Sequence, residues 1–333
     1  MQKLCDIGEF GLIGRLAKLF PGGKDVISGI GDDCAVIKHL GRCLLFTTDA
    51  LIEDVHFDLR YTPPVLLGYK SLAINLSDIA AMAGKPLAAV VTLGAPPETK
   101  VDFILDFARG LRTCASKYKC PIVGGDTVKS MKGIIINVAV VGECTGDPVL
   151  RSRAKPGEFV AIAGALGESL AGLNLLRIKA RKAKLESGDK IYRQKIVRAH
   201  LKPEPLLKDA LALKSALRIT SMIDVSDGLS SELNHISRES GVKILVDADK
   251  IPLSKQLRKF CRETGENPLE MALIGGEDYA LLFTFPKSRR ARLGRVPARA
   301  QLTVIGEVQR GKGVFLKKAG KVNQLSARSF AHF

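Results

Sequence analysis

The 333-residue sequence has no tryptophan, five histidines and only 5% aromatic residues. So few rings leave little for base stacking, and neither an RRM-type aromatic motif nor zinc-finger spacing is present, so nucleic acid is not the favoured partner. Seven cysteines, at 5, 34, 43, 114, 120, 144 and 261, include no Cys-x-x-Cys pair. Their odd number and wide spacing read as reduced, packed thiols and argue against a disulfide framework or a zinc site. No apolar run approaches the ~20 residues that span a bilayer. The first nineteen residues also lack a signal-peptide layout. No membrane association is expected, and the cytoplasm is the expected location. The glycine-rich stretch Gly164–Leu173 lacks the Gly-Lys-Ser/Thr of a Walker A loop, and no Gly-x-Gly-x-x-Gly follows a strand. A P-loop NTPase and a dinucleotide-binding fold are therefore not expected. Acids are also scarce, 34 against 51 Lys and Arg, for a net charge of +17. The basic residues cluster at 177–184 and 289–292, which read as solvated helix faces.

The few acids are not scattered. They recur beside glycines, at Gly29-Ile-Gly-Asp32-Asp33, Gly124-Gly125-Asp126, Asp224-Val-Ser-Asp227-Gly228 and Gly275-Gly276-Glu277-Asp278. Glycine permits unusual backbone angles and close approach of a ligand. Acids repeated at such turns point to divalent metal, and metal with glycine points to phosphate.

Hydrophobic periodicity predicts a first helix over residues 7–20 and a hairpin that brings Asp33 and Asp49 into one neighbourhood. Pro63-Pro64 opens a long helix that stops at Gly84. Ser71, Asn75 and Asp78 share one of its faces. Asp78 lies near the C-terminal end, where the helix dipole disfavours a carboxylate; a bound cation would compensate it, while an exposed Asp would merely tolerate it. Residues 134–141 read as a buried strand, and 180–200 as basic surface. His56 beside Phe57 reads either as a ligand contact or as a packed, hydrogen-bonded residue. Ser226 or Asp227 could simply cap the helix that follows, but Asp224 at the preceding strand end is not placed to do so. The polar stretch Gly146–Gly157 marks a domain boundary. Its Arg151 and Arg153 are either linker residues or a phosphate clamp.

In order and spacing these motifs resemble the thiamine-monophosphate kinase family. The resemblance runs from Gly8-Glu9-Phe10 and Gly29–Asp33 through Thr48-Asp49, Val55-His56-Phe57 and Asn75-Leu-Ser-Asp78. It continues through Gly124–Thr127, Ala154-Lys-Pro-Gly157 and Asp224–Gly228 to Gly275–Tyr279. The wider superfamily resembles that of aminoimidazole-ribonucleotide synthetase, selenide-water dikinase and a hydrogenase-maturation enzyme. The resemblance implies an α+β, two-domain aminoimidazole-ribonucleotide-synthetase-like fold, with mixed sheets flanked by helices. Residues 1–147 are expected to form the ATP- and metal-binding, dimerising domain, and 148–333 a second α+β domain that completes the site. It implies a homodimer that phosphorylates thiamine monophosphate to thiamine diphosphate with ATP and several magnesium ions, the last step of thiamine diphosphate biosynthesis. Carried over by position, Asp33, Thr47, Thr48, Asp49, Asp78, Asp126, Asp224 and Asp227 are expected to hold metal. Gly125, Arg151 and Ser226 are expected to contact ATP, and His56, Glu277 and Phe330 the thiamine monophosphate. Asp32 receives no role beyond shaping its turn.

The chemistry implied is simple. A phosphate monoester has its second pKa at about 6 and is mostly dianionic at neutral pH, so no general base is expected. The obstacle is attack of one polyanion on another, which magnesium held by carboxylates relieves while aligning an in-line displacement. Two other readings remain. Selenide-water dikinase and the hydrogenase-maturation relative would be marked by a reactive N-terminal Cys or a Cys tail; Cys5 lacks the glycine-rich setting and the chain ends Ala331-His332-Phe333. A basic nucleic-acid-binding module leaves the repeated acids unexplained.

Overall fold

Helix α2 (Pro64–Ala81) lies in the middle of the molecule, and 14 of its 18 residues are buried. A helix apolar on nearly every side belongs to a core. Pro63 precedes it in extended conformation, so the missing proline N–H costs nothing there. This computed structural model describes residues 2–180 and 190–328. Around α2 it arranges two mixed sheets, each flanked by helices.

The first sheet has six strands: β1 (Val26–Ser28), β2 (Ala35–His39), β3 (Arg42–Ile52), β4 (Lys85–Ala95), β5 (Ile122–Lys129) and β6 (Ile135–Cys144). Their order is β1-β2-β3-β6-β4-β5. All neighbours are antiparallel except β4 and β5. Helix α3 (Val101–Tyr118) packs against α2 almost backbone to backbone. A Cβ on Gly68 would sit 1.9 Å from the Phe107 carbonyl oxygen, and one on Gly110 1.9 Å from that of Val65. Only glycine fits at both contacts.

Strand β6 corrects an expectation. Its apolar run predicts burial on both faces, yet burial alternates strictly. Ile136, Val138 and Val140 are covered, whereas Ile135 is 40% exposed. The uncovered side continues through Phe46, Leu87, Val90 and Val123, all exposed. Among the described residues nothing covers this apolar face. Helix α1 (Leu4–Leu19) buries none of its residues, and Gly8 interrupts it with a φ of +64°. Its Leu16 and Leu19, with Phe20 beyond it, are therefore exposed.

The second sheet has seven strands, β7 (Glu158–Ala163), β8 (Ser221–Asp224), β9 (Lys243–Asp247), β10 (Leu281–Pro286), β11 (Leu302–Gln309), β12 (Gly313–Lys318) and β13 (Lys321–Gln324). The order is β13-β12-β9-β11-β7-β10-β8. Period-2 alternation sorts its side chains. Ala161, Ala163, Met222 and Phe283 join one core with α2, α3 and α6 (Leu207–Leu217). Val160, Ile162, Ile223 and Leu282 turn the other way, toward α7 (Leu229–Ser240). A third cluster joins α4 (Glu168–Ala180), α5 (Lys190–Leu201), α8 (Lys255–Thr264) and α9 (Pro268–Ile274). Helix α5 also departs from the solvated segment expected there. It buries Tyr192, Ile196 and His200, so its basic residues form only one face. Residues 181–189 of that segment lie outside the described residues.

Candidate active site

Three of the expected metal ligands converge where α2 meets both sheets. Asp33 comes from the turn before β2, Asp78 from the last turns of α2 and Asp224 from the end of β8. One carboxylate oxygen from each lies within 4.8 Å of the others. Each acid is held by a neighbour. Thr47 Oγ1 of β3 donates to Asp78. Ser77 Oγ, one residue before Asp78, donates to Asp224 Oδ2 at 2.6 Å. Asp33 pairs with the Arg151 guanidinium.

Like charges gathered in a low-dielectric site resist ionisation together. Burial first, then Asp49, Asp224 and Asp33, pushes the Asp78 carboxyl well above its ordinary range. Burial and Asp33 do the same to Asp224. Asp49 is pushed up to about 6 by burial, Asp227 and Asp33, which places both Asp49 and Asp227 in the same electrostatic neighbourhood. The hairpin thus does unite Asp33 and Asp49. Among the described residues, the Arg151 guanidinium stands against these acids. The donor set is all oxygen, as magnesium prefers, and Asp33 Oδ2 is buried with no hydrogen-bond partner. An orphaned carboxylate oxygen among surplus carboxylates fits a divalent cation.

Arg151 is neither a linker residue nor free. Its guanidinium contacts Asp33, its Nε lies 3.7 Å from Asp32, and its amide donates to Asp32 Oδ2 at 3.2 Å. Asp32 also accepts from the Asp33 amide at 3.0 Å. The acid expected only to shape a turn therefore also ties the first sheet's glycine turn to the 3₁₀ turn Arg151–Arg153. Burial and Asp33 raise Asp32 to about 7 despite Arg151.

The Asp224–Gly228 segment settles its capping question. Gly228 is the N-cap residue of α7 and no side chain caps it. The Asp227 amide donates instead to buried Glu232 at 3.0 Å, and the Ser226 carbonyl accepts from the Glu277 amide at 2.6 Å. Ser71 and Asn75 share a helix face with Asp78 but bond back to carbonyls four residues earlier.

Other expected residues stand further off. Exposed Thr48 exchanges hydrogen bonds through its Oγ1 with half-buried Asn137. Gly125 and Asp126 lie on the edge strand β5, separated from β3 by β6 and β4, and Asp126 binds the Thr127 amide at 2.8 Å. His56 Nδ1 accepts the Ile52 amide at 3.0 Å, which leaves the ring proton on Nε2. Glu277 is bound by Lys70 and His200. Phe330 lies outside the described residues.

Sequence reasoning assigned no role to Ser77, Glu232, Lys70, His200 or Asp278. Ser77 was the most accessible, since it sits inside the quoted Asn75–Asp78 motif. Asp278 accepts from the amides of Gly167 and Ser169 at 2.5 and 3.0 Å. It thereby caps α4 from 109 residues away, a role no local pattern reveals.

Comparison with known proteins agrees along the chain. The AIR synthase related protein N-terminal domain matches residues 31–144, and the corresponding C-terminal domain residues 155–318. The thiamine-monophosphate kinase of Aquifex aeolicus (strain VF5) is 37% identical over 332 residues, covering 100% of both chains. That of Bacillus subtilis (strain 168) is 35% identical, covering 98% of this chain and 99% of its own. A solved structure described as AaThiL complexed with AMPPCP and TMP superposes with a TM-score of 0.88 at 36% identity, covering 100% of this chain and 99% of its own.

Proposed function

The chain belongs to the AIR synthase related proteins and, within them, to the thiamine-monophosphate kinase family; on that premise we propose that it transfers the γ-phosphate of ATP to thiamine monophosphate, the last step in making thiamine diphosphate. The observation that carries the reading is the convergence of Asp33, Asp78 and Asp224 within 4.8 Å. A kinase joining two polyanions needs such a set. The related AaThiL, complexed with AMPPCP and TMP, adds support.

Asp33, Asp49, Asp78, Asp224 and Asp227 would hold magnesium, with Thr47, Thr48 and Asp126 contributing. When bound, magnesium neutralises phosphate charge and orients an in-line displacement. The chain's own residues do the rest. Thr47 and Ser77 fix the Asp78 and Asp224 carboxylates against rotation. Arg151 is the guanidinium facing the acids, and ATP phosphates compete with Asp33 for it. Ser226 and Gly125 complete the nucleotide contacts, while His56, Glu277 and Phe330 take the thiamine monophosphate. No residue acts as general base, because the attacking phosphate is already a dianion at neutral pH. Transfer is direct, so a phosphorylated protein that forms and decays at the rate of turnover would refute this step.

Two copies form the working unit. The uncovered apolar face of the first sheet, with Phe46, Val90 and Val123, supports pairing through that face. Gly125 and Asp126 lie on its edge strand, so a single chain leaves them apart from the acid cluster. The assigned organisation is residues 1–147 for nucleotide, metal and dimerisation, and 148–333 for completion of the site. No helix among the described residues is long and apolar enough to cross a membrane, and we assign the reaction to the cytoplasm. The deciding experiment incubates the protein with ATP, magnesium and thiamine monophosphate, and separates products by chromatography. Thiamine diphosphate and ADP are expected in equal amounts. No product above the protein-free control would overturn the assignment.

A further inference from the structure

Glu277 is unlike every acid of the cluster. Its backbone is left-handed, with a φ of +61°. Its amide is bonded to Ser226, and a Cβ on the preceding Gly276 would come within 2.5 Å of the Ser226 carbonyl oxygen. The backbone is thus clamped onto the Asp224–Gly228 turn, and the side chain enters a pocket between helices. Oε1 accepts from Lys70 Nζ of α2 at 2.8 Å. Oε2 lies 3.0 Å from His200 Nδ1 of α5, which is also 3.1 Å from Ser169 Oγ of α4.

Lys70 is 2% exposed and His200 3%. An ammonium buried this deeply requires a counter-charge, and Glu277 supplies it. Burial alone would raise the Glu277 carboxyl, but Lys70 and the His200 hydrogen bond more than offset that and hold it well below the usual range. Burial and Lys70 lower His200 below its own usual value, so the ring is neutral and Nδ1–H is the donor to the carboxylate. An ionised carboxylate has about four lone-pair sites. Lys70 and His200 take one on each oxygen. The Glu277 side chain keeps 27% of its surface open, so acceptor capacity remains on the accessible edge.

We infer that Lys70 and His200 are positioning residues, which hold Glu277 ionised and oriented so that its open edge accepts an N–H donor or faces a cationic ring of the phosphate acceptor. The inference rests on the assignment of Glu277 to the thiamine monophosphate side of the reaction. Such an acceptor carries an aminopyrimidine N–H group and a positively charged thiazolium, and both suit a fixed carboxylate. Lys70 sits on the helix that also carries Asp78, so one element sets both the acid cluster and the acceptor contact.

The test separates KM for thiamine monophosphate from KM for ATP and from kcat. Lys70→Met keeps length and apolar stem but removes the charge. It is expected to raise KM for thiamine monophosphate about thirtyfold while KM for ATP stays within about twofold. Lys70→Arg, which retains the charge, should return to within about fivefold of wild type. His200→Leu should raise the same KM about tenfold, and His200→Asn, which keeps a donor near the Nδ1 position, should recover most of it. If Lys70→Met does not fold, the His200 pair carries the same comparison. Folded variants whose KM for thiamine monophosphate is unchanged, or whose two KM values rise together, overturn the inference while wild-type turnover stands. A wild type that makes no thiamine diphosphate overturns this inference and the assigned function together.

Discussion

Two carboxylate environments lie along α2, eight residues apart, about 12 Å along the axis. At Asp78 the helix end meets Asp33, Asp49 and Asp224, and burial and repulsion raise the carboxyls of Asp78, Asp49 and Asp224 above their ordinary range. At Lys70 it meets Glu277, which an ammonium and a neutral imidazole hold ionised. The burial is similar and the electrostatic outcome is opposite. The second environment is complete as folded. The first becomes complete only when positive charge arrives, which supports the proposal that metal and phosphate bind there.

The sharpest way to break the comparison is to make the same chemical change in both places. Asp78→Asn removes an ionisable carboxyl from a crowd of like groups. Activity should fall about a thousandfold, or about 4 kcal/mol on the barrier. The metal-free folded protein should nonetheless become more stable, because repulsion is relieved. Glu277→Gln removes a charge that has a buried partner, and stability should fall by about 3 kcal/mol as Lys70 is left unpaired. Product chromatography and thermal melting in chelator check both. Unimpaired turnover in folded Asp78→Asn, or melting shifts of the same sign in the two variants, would erase the distinction.

Legibility in the sequence follows the same division. The acids of the cluster announced themselves because each sits beside a glycine or at a strand or helix end, and because their order matches a family. The bounds of α2 were likewise visible, in Pro63-Pro64 and Gly84. What stayed hidden was partnership at long range. Lys70 reads as an ordinary helix residue until Glu277, 207 positions later, arrives beside it. His200 was lost in a basic segment whose buried stripe of Tyr192 and Ile196 is too sparse to outweigh its charges. Asp278 lay in an acid motif without a role of its own, and it caps a helix far away in sequence. Strand β6 looked buried on both faces because its open face is equally apolar. Periodicity reports which residues avoid water, not which partner covers them.

The next largest effect concerns pH. Asp32 and Asp49, raised to about 7 and about 6, bind more protons folded than unfolded. Their stabilising contribution is therefore complete below about pH 4 and is lost as pH rises through 6 and 7. Glu277 has the opposite sign: its contribution is present above its unfolded value and is lost only as pH falls through a folded value well below the usual range. Between pH 5 and 8 Asp32 and Asp49 titrate together with Asp278, which burial raises to about 7 outside the cluster. Metal-free protein should thus lose on the order of a few kcal/mol over that window, and saturating magnesium should remove the cluster's share of the slope. Melting curves at four pH values with and without magnesium would show it. A flat metal-free profile would mean that the acids are not crowded as described.

The smallest effect tests whether the crowd is oriented as well as assembled. Thr47 Oγ1 donates to Asp78, the most crowded of the acids. Thr47→Val keeps the shape and deletes the hydroxyl, at a cost of about 1 kcal/mol for the lost hydrogen bond to a buried carboxyl. If the hydroxyl serves only to satisfy a buried carboxyl, that cost appears in the metal-free melt and magnesium erases it. If Thr47 is itself part of the cation site, as its position in β3 implies, the half-saturating magnesium concentration for turnover should rise about tenfold. KM for thiamine monophosphate should not move, since that side of the molecule depends on Lys70 and Glu277. A Thr47→Val protein with unchanged magnesium dependence would leave Thr47 as a prop for Asp78 and confine the cation to carboxylates alone.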